Sequence, residues 1–188
     1  LEGGMDHEDS LGVAHTAREG EAMRITTGGG IRHSEFPADG GACNGLQLWV
    51  NLPREKKEIE AGYADADAAD LPTAIEDGAT VTTVVGEGSP LELHTRMEYL
   101  DARVDDAWTW TVPDGWTGFA FGVDGAGTAD GDRFETDDVL PVEDGRTVEF
   151  AADAAGRDAG GGDTGLRVVC VAGEPHDEPI RQRGPYVL

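Results

Sequence analysis

The sequence predicts an all-β fold, a sandwich or barrel made of many short strands. Three observations predict it. Glycine occurs 28 times in 188 residues and punctuates the chain at short intervals. The runs between the glycines are rich in β-forming residues and bounded by turn signals. Several of them alternate apolar and polar positions, as a half-buried strand requires.

In chain order, the predicted strands are Gly45-Leu46-Gln47-Leu48-Trp49-Val50-Asn51, then 79–85, 91–95, 107–112, 118–122, 147–150 and 166–171. The clearest is Ala107-Trp108-Thr109-Trp110-Thr111-Val112, with its regular alternation. Pro113-Asp114-Gly115 is a turn signal. Residues 64–79, with their Asp-Ala repeats, are the least strand-like and read as an acidic loop or a short helix around Leu71 to Ile75. Residues 153–163, rich in Ala, Gly and Asp, read as a flexible loop. No exact repeat is present, but the strands fall into two sets. This places a first domain at 1–60, a connecting acidic segment at 61–80 and a second domain at 81–188.

Charge narrows the function classes. Thirty-eight acidic residues against fourteen basic ones give a net charge of −24, and Lys56 and Lys57 are the only lysines. Such a surface repels phosphate backbones, so no direct nucleic-acid binding is expected. Abundant Asp and Glu with almost no lysine is a halophile's composition, because concentrated salt screens the self-repulsion. No stretch of eighteen apolar residues and no signal-peptide pattern occurs, so no membrane association and a cytoplasmic location are expected. Cys43 and Cys170 stand far apart with no Cys-x-x-Cys pattern, which favours two buried thiols over a disulfide.

The densest chemical candidate is Thr27-Gly28-Gly29-Gly30-Ile31-Arg32-His33-Ser34-Glu35-Phe36. On a strand, His33 and Glu35 point to the same face. An imidazole beside a carboxylate inside a small barrel makes a natural pair of metal ligands, suited to non-haem iron and also to Mn, Zn or Cu. By spacing alone, such a pair is more often surface decoration. The triple glycine is expected to let backbone approach closely near the pair. His7-Glu8-Asp9-Ser10 could supply ligands or groups supporting them, but on spacing alone it reads more readily as a hydrophilic turn. His15, His94 and His176 read as surface or packed histidines. Trp49, Trp108, Trp110 and Trp116 read as core or domain-contact residues. No nucleophile elbow, P-loop or dinucleotide fingerprint occurs.

Taken together, these segments resemble the pirin family. The motifs that carry the resemblance are Leu1-Glu2-Gly3 with His7-Glu8-Asp9-Ser10-Leu11-Gly12, then Gly28-Gly29-Gly30-Ile31-Arg32-His33-Ser34-Glu35, then Gly45-Leu46-Gln47-Leu48-Trp49-Val50-Asn51-Leu52-Pro53. Near the end come Ala172-Gly173-Glu174-Pro175, Glu178-Pro179-Ile180 and Gly184-Pro185-Tyr186-Val187. The order and spacing follow the family across nearly the whole chain. Two departures stand out. Gly20-Glu21-Ala22-Met23-Arg24-Ile25 lacks the family's tryptophan, and Lys57-Glu58-Ile59-Glu60-Ala61 replaces a Lys-Met-x-x-Pro pattern.

The resemblance implies two cupin barrels packed face to face, the first holding a single metal, usually iron, on three histidines and one glutamate. Two of those ligands map onto His33 and Glu35. The family's other two come from a His-x-His strand just before the segment matching Leu1-Glu2-Gly3, which this sequence does not contain. The sequence therefore reads as a pirin trimmed at both ends, its first barrel incomplete. Iron is the expected cofactor, with Mn, Zn or Cu as alternatives, and a metal-free chain remains an open reading. The implied activity is that of a metal-dependent dioxygenase of the quercetin 2,3-dioxygenase type, with Glu35 as both ligand and catalytic base toward a small aromatic or flavonol-like substrate. The alternative is an iron-dependent regulatory module that binds a protein partner without catalysis.

Overall fold

A computed structural model describes residues 2–76, 78–153, 165–184 and 186–187. The fold is all-β. In order, the strands are β1 (Glu2–Asp9), β2 (Ala14–Arg18), β3 (Ala22–Thr26), β4 (His33–Pro37), β5 (Cys43–Asn44), β6 (Gly62–Ala66), β7 (Thr73–Glu76), β8 (Ala79–Val85) and β9 (Met97–Val104). They continue with β10 (Ala107–Thr111), β11 (Thr117–Asp124), β12 (Ala126–Ala129), β13 (Asp132–Glu135), β14 (Val139–Glu143), β15 (Thr147–Ala152), β16 (Leu166–Gly173), β17 (Gln182–Arg183) and β18 (Tyr186–Val187). The helical elements among the described residues are two three-residue 3-10 turns, at Ala38–Gly40 and Arg54–Lys56. No helix among the described residues is long and apolar enough to cross a membrane.

The chain divides into two compact units. One comprises 1–71, 90–95 and 176–188; the other comprises 72–89 and 96–175. These differ from the domains expected at 1–60 and 81–188 with a connector at 61–80. The chain passes from the first unit to the second between Leu71 and Pro72, inside the acidic stretch, whose β6 pairs with β3 in the first unit and whose β7 pairs with β8 in the second. The last residues return to the first unit.

The second unit carries the large core. Its strands form a four-stranded sheet, β10-β15-β12-β13, and a six-stranded sheet, β14-β11-β16-β9-β8-β7. The alternation read in Ala107–Thr111 is realised. Trp108 and Trp110 point inward while Thr109 and Thr111 face solvent. Opposite them on β15 lie Phe150 and Val148, both fully buried. Cross-strand pairs of this kind are the stabilising unit of a sheet. Trp108 and Phe134 both pack on the Phe150 ring, with centroids 6.1 and 5.7 Å away. The buried indole N–H groups are satisfied by carboxylates, Trp108 Nε1 donating to Glu76 and Trp110 Nε1 to Glu98 at 2.7 and 2.8 Å. Trp116 lies only partly buried against this core. The Pro113–Trp116 turn closes with Trp116 N donating to Pro113 O, and Gly115 takes the positive φ of 75° that its third position needs.

Both cysteines are free. Cys170 is buried, and burial pushes its thiol well above the usual value, with Glu98 and Asp101 adding to the shift. Cys43 is only half-buried, not buried as expected. Only a thiolate is alkylated readily. Iodoacetamide is therefore expected to modify Cys43 in the native protein and Cys170 only after unfolding. Equal native labelling of both, read by peptide mapping, would contradict this packing.

Two expected strands are not strands. Residues 45–51 and 91–95 run as irregular segments in the first unit. Side chains take some of their carbonyls. Thr95 Oγ1 donates to Asn51 O at 3.3 Å, and Arg24 Nη1 donates to Glu92 O at 2.8 Å. Conversely, residues 64–79 contain parts of β6, β7 and β8 rather than a loop or helix. The loop expected at 153–163 lies, apart from Asp153, outside the described residues.

The first unit has a three-stranded path β2-β1-β4, with β5 also paired to β1, and two further pairs, β3-β6 and β17-β18. Its buried apolar residues are mostly small, among them Ala17, Ala38 and Ala66, with Leu71 and Leu91. Its largest fully buried side chain among the described residues is His7. Imidazoles are seldom fully buried without a reason.

Candidate metal centre

The site is built by strand register. In the antiparallel pair β1-β4, His7 stands opposite Glu35 and Asp9 opposite His33. Residues directly opposite share a face, and so do residues two apart on one strand. His7, Asp9, His33 and Glu35 therefore project from the same face of the sheet. On the other side of β1, His15 of β2 stands opposite His7 and joins that face.

Three of these side chains converge. One nitrogen each of His7 and His33 and a carboxylate oxygen of Glu35 lie within 4.8 Å of one another. Glu35 Oε1 is the hub, 3.6 Å from His7 Nδ1 and 3.7 Å from His33 Nδ1. The His7 and His33 rings are 5.6 Å apart. Exposure is graded across the cluster. The His7 side chain is sealed, Glu35 is 18% exposed and His33 is 34% exposed, so the site opens on the His33 side.

His7 is held from two directions. Asp9 Oδ2 lies 3.3 Å from His7 Nε2, and Tyr63 of β6 stacks on the ring at 4.9 Å. Asp9 is itself fixed, accepting from Leu11 N at 2.8 Å and Val13 N at 3.1 Å. Burial alone would raise the Asp9 pKa, but the bonds from Val13 N, His7 and Leu11 N outweigh it and hold it below the usual value. Because a carboxylate only accepts, the His7 proton belongs on Nε2, which leaves a lone pair on Nδ1. That Nδ1 is buried and has no hydrogen-bond partner. It faces Glu35 Oε1, another acceptor. A cation between them would satisfy both, and the donor set of two imidazoles and one carboxylate fits a metal, with Asp9 behind His7 and Gln47 behind Glu35.

Tyr63 also leans on His15, with ring centroids 5.9 Å apart. Its hydroxyl is buried without a partner, and burial together with Asp65, Asp9, Glu21 and Glu35 pushes its pKa up.

Sequence reasoning paired His33 with Glu35, and the structure places them side by side. It did not select His7. The segment 7–10 is not a hydrophilic turn in its first half, since His7 and Asp9 lie on β1. The alternation of His7 and Asp9 was the available signal, but only the register with β4 brings them to Glu35. The triple glycine does let backbone approach closely, on the segment around Ile59. Gly28 packs on the backbone of Ile59, where an added Cβ would lie 2.1 Å from the carbonyl oxygen. His94 is not part of the cluster, and His176 Nε2 instead lies 3.0 Å from Asn51 O. Trp49, expected in a core or a domain contact, is not in a core: it is 67% exposed and borders the site through Gln47.

Residues 1–50 match the family model described as Pirin, and residues 99–188 match the model described as Pirin C-terminal cupin domain. Pirin-1 of Arabidopsis thaliana is 33% identical over 198 residues, an alignment that covers 100% of this chain and 66% of that protein. Pirin of Rattus norvegicus is 34% identical over 199 residues, with the same coverage of 100% and 66%. Among solved structures, quercetin 2,3-dioxygenase from Acinetobacter baumannii superposes with a TM-score of 0.85 at 25% identity, covering 100% of this chain and 67% of that one. The chain thus spans 66% of the length of each of the two pirins. With cupin-type β-structure and matches to both halves of the family, the chain belongs to the pirin family.

Proposed function

We propose that His7, His33 and Glu35 hold a single non-haem iron, and that the protein is a metal-dependent dioxygenase of the quercetin 2,3-dioxygenase type acting on a flavonol-like aromatic alcohol. The observation that carries this reading is the convergence of three acceptor atoms within 4.8 Å, one of them the unpartnered, sealed His7 Nδ1. Two histidines and one carboxylate with open positions are the donor set of non-haem iron oxygenases. The likeness to the Acinetobacter baumannii quercetin 2,3-dioxygenase supports the reaction class.

When bound, the iron would supply Lewis acidity toward a substrate hydroxyl and one-electron chemistry toward dioxygen. The protein's own part follows from the geometry. Asp9 and Tyr63 lock His7 in one tautomer and orientation. The gradient of exposure directs substrate to the His33 side. Glu35 sits where it can accept the substrate hydroxyl proton, leaving the oxygen as the anion. The sealed floor at His7 keeps water from that end.

The test is oxygen uptake by iron-reconstituted protein with quercetin and simpler catechols, followed at an oxygen electrode in molar salt. Uptake that depends on both iron and the aromatic alcohol is expected. Iron-loaded protein that consumes no oxygen with any of them would refute the dioxygenase reading.

A further inference from the structure

Glu35 has a second oxygen, and the structure shows what occupies it. Gln47 Nε2 donates to Glu35 Oε2 at 3.0 Å, and Trp49 Nε1 donates to Gln47 Oε1 at 3.3 Å. The direction of this chain is fixed by chemistry. An indole N–H can only donate, so the oxygen of the Gln47 amide must face Trp49, and its NH2 must then face the carboxylate. With Oε2 engaged, Oε1 is the oxygen left toward His7 and His33, at 3.6 and 3.7 Å.

The segment that carries Gln47 and Trp49 is placed by its far end. It has no strand partner among the described residues. Asn51 O accepts from Thr95 Oγ1 at 3.3 Å and lies 3.0 Å from His176 Nε2. Burial does not explain the placing of Trp49, whose side chain is largely in solvent. Its bond to Gln47 does.

We infer that Gln47 and Trp49 are positioning residues of the metal centre: Trp49 fixes the Gln47 amide, and Gln47 holds Glu35 as a one-oxygen ligand. The inference rests on the metal reading above. Groups behind a ligand usually account for about 10–100-fold in metal affinity.

Co(II) titration of the purified chain, read by calorimetry and visible absorption, tests it. Gln47→Leu is expected to weaken Co(II) binding by about 10–100-fold and to shift the absorption bands as the carboxylate is freed to turn. Trp49→Phe keeps the ring and loses the N–H, so it is expected to weaken binding by a smaller factor. The double variant is expected to match Gln47→Leu alone, since both substitutions break one chain. Melting in EDTA is expected to be unchanged by Trp49→Phe, which keeps the inference testable even if Gln47→Leu fails to fold. If the parent chain binds Co(II) and both single variants bind it with the same affinity and spectrum, the positioning role is overturned and the metal site stands. If the parent does not bind Co(II), both fall.

Discussion

His33→Ala is expected to remove measurable metal binding while leaving the melting temperature of the metal-free protein nearly unchanged. The reason is the gradient of exposure. His33 is the most open of the three converging residues, so its truncation leaves a space that water fills, with no sealed cavity. Surface changes of this kind cost little stability. What remains is His7 and Glu35, two donors where metal sites need at least three. The loss should therefore exceed the ~100-fold that removal of an outer group can cost. Isothermal titration with Fe(II) under anaerobic conditions, or with Co(II) in air, measures it. His7→Ala is the less clean experiment. It empties a sealed position and strips a stacked partner from Tyr63, so lost metal and lost fold would arrive together. Native-like affinity in His33→Ala would mean that the cluster is not a metal site.

Phe150→Ala is expected to be the most damaging single change in the second unit. Its side chain is fully buried, faces Trp108 across the β10-β15 ladder and touches Phe134. Truncating a buried phenylalanine costs about 3–5 kcal/mol, from lost apolar transfer and the cavity left behind. Domains are stable by only about 5–15 kcal/mol, so this is a large share. Urea unfolding followed by near-UV circular dichroism reads the change, because Trp108 and Trp110 lie in the affected core. The midpoint should fall with little change in slope. A loss below about 1 kcal/mol, the centre of the ordinary mutational range, would contradict this packing.

What the sequence disclosed depended on whether the signal was local. The strand Ala107–Thr111 was legible because its alternation is a property of five adjacent residues. His33 and Glu35 were legible for the same reason, being two apart. Residues 45–51 have strand-like composition but lack a ladder partner, and propensity cannot supply one. Their role emerges only where Gln47 meets Glu35. The opposite error occurred at 64–66, the part of β6 inside the stretch read as a loop or helix. Its alanines and aspartates look like a loop, yet the strand forms because β3 lies beside it. His7 was named as a candidate but ranked below a hydrophilic turn, because its meaning lies in a pairing 28 positions away, His7 opposite Glu35, which no local period encodes. The acidic surface was legible from composition alone. It bears on experimental conditions, since salt screens the self-repulsion of a net charge of −24.

The most direct test of the central claim is the metal content of the purified chain after anaerobic exposure to Fe(II) in molar salt and removal of free ion. With His7, His33 and Glu35 forming a metal centre, elemental analysis should find about one iron per chain, lost on replacing His33 or Glu35 by alanine. Iron far below one per chain, or iron retained equally by both variants, would contradict it.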